Sequence, residues 1–159
     1  MKTILYILII AALLSCSSCK YDVYISPELQ DYVDQFVEEA TSRGLPGLKI
    51  VNRVDSIIYK PISKIYLGLY WPKTFNKKIP HNVIYINSDV PIPNYTIRKT
   101  VFHEIAHSHG LRHVCYRCNR IMSSISDGVV KDEEGWQKDL DIFFEREKLP
   151  RDKIVIFVR

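Results

Sequence analysis

Apolar positions along this chain fall into two rhythms. Leu29, Tyr32, Val33, Phe36, Val37 and Ala40 recur at intervals of three and four, the spacing that lines one face of an α-helix. Ser26-Pro27-Glu28 ahead of them is a start signal, with Ser26 as cap and Pro27 in the first turn, and Gly44 marks the end. Residues 133–148 repeat the rhythm, with Trp136, Leu140, Phe143 and Phe144 as the inward stripe. Between these helices, runs rich in β-branched and aromatic residues predict strands over 48–54, 57–59, 65–71 and 83–87, separated by turn residues. Residues 20–25 alternate as a first strand, and 154–158 form a last one. The polar stretch 72–80, with its lysines and prolines, is a loop. Residues 96–109 form a third helix, capped by Asn94 or Thr96. The order is that of an α+β domain. It contains no repeats and no low-complexity linker, so residues 16–159 are expected to form one domain.

The start of the chain stands apart from that pattern. Lys2 precedes an apolar run from Ile4 to Leu14, too short for a comfortable membrane span of about 20 residues. The run closes in Leu13-Leu14-Ser15-Cys16, which looks like a bacterial lipobox: residues 1–15 as signal peptide and Cys16 as the lipidated N-terminus. An ordinary signal peptide cut nearby, or an uncleaved anchor, are the other readings. Acyl chains on Cys16 would hold the domain to a membrane surface without a spanning helix. The expected location is therefore the bacterial cell envelope, at the outer membrane or cell surface. The formal charge of +4 falls to +3 without Lys2. Charges of both signs are mixed along the chain, with no basic stripe, which argues against nucleic acid as a partner.

Candidate chemistry sits in the third helix. His103-Glu104-Ile105-Ala106-His107-Ser108-His109-Gly110-Leu111-Arg112-His113 reads H-E-x-x-H-x-x-G-x-x-H. Histidines four apart on a helix share a face, so His103 and His107 can reach one ion. Gly110 allows a sharp turn at the helix end, which returns His113 as a third nitrogen ligand. Three protein ligands and one vacancy describe a catalytic zinc site; structural sites fill all four positions. Glu104 follows His103 directly and can lean over the open position as general base. His109, two residues from His107, faces elsewhere and is read, like His81, as an ordinary surface or core histidine.

This motif resembles that of the metzincin clan of zinc endopeptidases, in which the third histidine is followed by a methionine-containing turn. Ile121-Met122-Ser123-Ser124 fits that turn. The resemblance covers roughly residues 103–124, and beyond them only the order of elements agrees. It implies a compact domain whose mixed twisted sheet carries an active-site helix and a C-terminal helix. It implies one zinc ion on His103, His107 and His113, with Glu104 as base and Met122 beneath the ligands. It implies protein or peptide substrates that pair with an antiparallel edge strand, and a pocket shaped by residues 123–130. A monomer is expected. The tyrosine some members carry two residues after the methionine is replaced here by Ser124, and Val114 after the third histidine marks no subfamily.

Cys115 and Cys118 form C-x-x-C just past His113. In an exported protein the simplest reading is a disulfide bracing the loop toward Met122, with free thiols as the alternative. A second metal lacks a partner C-x-x-C, and a redox motif lacks its thioredoxin-like setting. Archaemetzincins also place cysteines after the third ligand, but the later cysteine pair is absent here. Cys19 is left as an odd thiol in the tether. Three rival readings remain: a zinc-holding binding module for peptides or envelope proteins, a zinc hydrolase of non-peptide amides, and a disulfide oxidoreductase using Cys115 and Cys118.

Overall fold

The strand Val83–Asn87 is apolar at nearly every position, and four of its five residues are buried. A run of this kind suits a strand covered on both faces. The computed structural model, which describes residues 21–73, 82–91, 93–113, 120–123 and 132–147, places it inside a four-stranded mixed sheet. In chain order the elements are β1 (Tyr24–Ile25), a 3-10 turn (Pro27–Leu29), α1 (Gln30–Ser42), α2 (Gly47–Val51), β2 (Ser56–Lys60), β3 (Gly68–Trp71), β4 (Val83–Asn87), α3 (Asn94–Ser108) and α4 (Glu133–Glu147). The sheet order is β1-β2-β4-β3. Strands β1, β2 and β4 run parallel, with Ile57 beside Ile84, while β3 ends the sheet antiparallel to β4, with Gly68 beside Ile86 and Tyr70 beside Ile84.

Helix α3 packs on β3, β4 and α1. The joint is aromatic. Phe36 of α1 meets Phe102 of α3 edge-on at 5.0 Å and lies 5.7 Å from Phe144 of α4, and Phe102 lies 5.5 Å from Trp136 of α4. All four rings are at most 2% exposed. They fix the face that α3 turns away from the core, which is the face carrying the histidines. The loop that leads into β3 is tied down by Asn87, fully buried at the end of β4. Its amide donates to the carbonyls of Tyr66 (2.9 Å) and Ser63 (3.3 Å), and its oxygen accepts from the N–H of Asp89 (3.0 Å).

Several sequence expectations are corrected. Residues 48–54 form a short helix and turn rather than a strand. Gly47, Ile50, Val51 and Val54 are all buried, at the three-and-four spacing of a helix, and the β-branched composition masks that period. Strand β3 begins at Gly68, and Ile65, expected within it, is 79% exposed. The first strand is only Tyr24–Ile25. The Ser26 hydroxyl caps no helix; it accepts the Tyr59 backbone N–H at 3.0 Å and so stitches the turn to β2. Helix α3 starts after Pro93, without a side-chain cap from Asn94 or Thr96. Residues 1–15, Cys16, Cys19, His81, Val114, Cys115, Cys118, Ser124 and the predicted strand 154–158 lie outside the described residues. Among the described residues no helix is long and apolar enough to cross a membrane.

Candidate metal centre

His103 and His107 stand one turn apart on α3, and His113 returns to them after Gly110, whose φ of +80° is the left-handed turn that the motif requires. The three Nε2 atoms form a triangle with sides of 3.0, 3.1 and 3.1 Å. His103 Nδ1–H donates to the Ile121 carbonyl at 2.7 Å, and His107 Nδ1–H donates to the Leu111 carbonyl at 2.7 Å. A carbonyl only accepts, so the proton of each neutral ring lies on Nδ1 and the Nε2 lone pair is bare. Burial, and for His103 the neighbouring His107 next, hold these rings neutral: His103 is pushed down to about 3 and His107 to about 4. Burial lowers His113 as well.

Bare lone pairs this close repel one another unless a cation lies between them. The three histidines are accordingly a group that could hold a metal ion, with their donor atoms all within 4.8 Å. Nitrogens bound tetrahedrally to one zinc at about 2.0–2.1 Å stand about 3.3 Å apart, close to the observed spacing. The donor set, imidazoles of which His103 and His107 have their outer nitrogens hydrogen-bonded to carbonyls, also fits such an ion.

Glu104 is on the next position of α3 and is 6% exposed. Burial pushes its carboxyl up to about 8, while the Tyr70 backbone N–H that donates to it pulls the other way. Glu104 therefore rests against β3, outside the cluster of three ligands. Gly68 of β3 stands beside it, where a β-carbon would lie 2.8 Å from both Cγ and Oε1 of Glu104.

Met122 is buried, directly after the residue whose carbonyl holds His103. It lines a small, mostly apolar cavity with Leu111, Ile121, Ile142 and Phe143, to which Arg120 and Asp139 also contribute. His109 is turned away from the triangle, and its Nε2 lies 3.1 Å from the Ile50 carbonyl of α2. Sequence reasoning missed Gly68 and the carbonyls of Leu111 and Ile121. A glycine inside a β-rich run is a signal of close approach, whereas a backbone carbonyl leaves no mark in a sequence. Compared with known proteins, the chain matches no family model, no curated protein and no solved structure.

Proposed function

We propose that this chain is a zinc-dependent endopeptidase of metzincin type. One observation carries the reading: the Nε2 atoms of three imidazoles converge at 3.0–3.1 Å, two of them held bare by carbonyls on their Nδ1 atoms, with a buried carboxyl group one residue along the same helix. When bound, zinc supplies a Lewis acid that polarises a carbonyl and brings the pKa of a water toward 7. His103, His107 and His113 would hold the ion, and the Ile121 and Leu111 carbonyls keep the first two rings in the ligating tautomer. Glu104 takes a proton from the attacking water onto a carboxylate oxygen. As the C–N bond breaks, it gives that proton to the departing amine nitrogen. Strand β3, antiparallel at the end of the sheet and touching Glu104, is the element beside which an extended peptide would lie. The seat of Glu104 favours a hydrolase over a pure binding module, since binding needs no base. Export and lipidation at Cys16 belong to the same proposal and rest on the N-terminal sequence alone.

The test is cleavage of a mixed peptide library by the zinc-loaded protein, with and without chelator, beside Glu104→Gln. Chelator-sensitive cuts by wild type alone are expected. Full activity in Glu104→Gln would sink the mechanism, and cleavage of amide-linked cell-wall fragments without peptide cleavage would move the substrate class.

A further inference from the structure

Gly68 does not need to be glycine for its backbone. Among the described glycines, positive φ is confined to Gly44 and Gly110. In a strand, glycine forgoes side-chain packing and loses more entropy on folding than alanine, so some other requirement keeps it there. That requirement is space. A β-carbon at position 68 would lie 2.6 Å from Thr100 Cγ2, 2.8 Å from Glu104 Cγ and 2.8 Å from Glu104 Oε1. Two of these three contacts are with the carboxylate side chain. Its backbone sits on a strand tied to buried Asn87 through the preceding loop, so β3 is poorly placed to retreat.

We propose that Gly68 is a positioning residue: the volume left by its missing β-carbon is the seat of the Glu104 carboxyl. The seat holds the carboxyl against the Tyr70 N–H, one residue along α3 from the first ligand. The inference rests on the reading of Glu104 as general base. It separates from that reading because the seat can be measured without catalysis.

The remaining contact, Thr100, must be taken out of the comparison. Thr100→Ser deletes Cγ2 and keeps the hydroxyl that donates to the Thr96 carbonyl at 2.8 Å. Four proteins are therefore compared in a Thr100→Ser background: unchanged, Gly68→Ala, Glu104→Ala, and both. Melting temperatures are measured zinc-free and zinc-loaded, with zinc content, kcat and KM on a cleaved peptide. Gly68→Ala is expected to bind one zinc per chain, keep KM within about twofold and lose about 10²-fold in kcat, the scale of a misplaced reacting group. The melting-temperature loss from Gly68→Ala is expected to shrink by more than half once Glu104 is Ala. If Gly68→Ala folds only alongside Glu104→Ala, the seat is equally supported. An unchanged kcat when Gly68→Ala is added to the Thr100→Ser background, or the same stability loss with and without the Glu104 side chain, overturns it. If the unchanged background cleaves no peptide, the peptidase reading fails, while the stability coupling still decides the seat.

Discussion

Glu104 and the two histidines flanking it on α3 pull the pH dependence of the zinc-free protein in opposite directions. Burial raises the Glu104 carboxyl from 4.5 to about 8. The folded state therefore holds that proton more tightly than the unfolded chain. Its contribution to stability is fully present below pH 4.5 and is lost as pH rises through about 8. His103 and His107 are lowered from 6.5 to about 3 and about 4, so their contribution is present above 6.5 and is lost as pH falls toward those values. A melting-temperature series on zinc-free wild type and Glu104→Gln checks this. The variant is expected to gain on wild type between pH 5 and 8 and to keep the acid limb; parallel curves would contradict the assignment. With zinc bound, the ionised carboxylate is favoured beside a dication and the alkaline slope should flatten. At neutral pH, kcat/KM of Glu104→Gln is expected to drop by about 10²–10⁴-fold with zinc content unchanged, the usual worth of a positioned general base.

Among the elements, the turn after α3 decides whether His113 reaches the other two histidines. Gly110 has open space where a β-carbon would go, so Gly110→Ala suffers only the backbone cost of a positive φ, about 1–2 kcal/mol. Gly44, with φ +75° and equally open surroundings, ends α1 and supplies a control. Both alanine variants are expected to lose similar stability. Only Gly110→Ala should weaken zinc binding in a calorimetric titration, because His113 follows three residues later. Equal zinc affinity in the two would mean that His113 reaches the ion by another path. Elements also show where sequence patterns were sufficient. The stripes Leu29–Val33–Phe36–Ala40 and Trp136–Leu140–Phe143–Phe144 are buried as their period demands, and β4 is found residue for residue. Helix α2 was hidden because Ile50, Val51 and Val54 carry strand-like side chains at helical spacing. The cluster of His103, His107 and His113 was legible because its members lie within eleven residues of one another. Gly68 was not, since its partner Glu104 meets it only through the packing of β3 on α3.

For the whole molecule, the core and the histidine cluster share one helix. Phe102 faces Phe36 and Trp136, and the next residue, His103, faces the site. Phe102→Ala is expected to cost about 3–5 kcal/mol, a large fraction of a domain's total stability, and zinc affinity should fall with it as α3 loses its support. Zinc at a hundred times its dissociation constant should restore at most about 2.7 kcal/mol, read as a chelator-reversible rise in melting temperature. The rise should fall short of that figure, because ligands so near in sequence also bind metal in the unfolded chain.

Trp136 has a further consequence. Its indole is 1% exposed, 5.6 Å from the ring of Tyr95 and 4.2 Å beneath the guanidinium of Arg98. An indole so enclosed fluoresces at short wavelength and accepts excitation from the nearby tyrosine; the emission moves to the red when water reaches it, and the transfer weakens as the two helices part. The protein thus carries its own optical gauge of whether α4 is seated on α3.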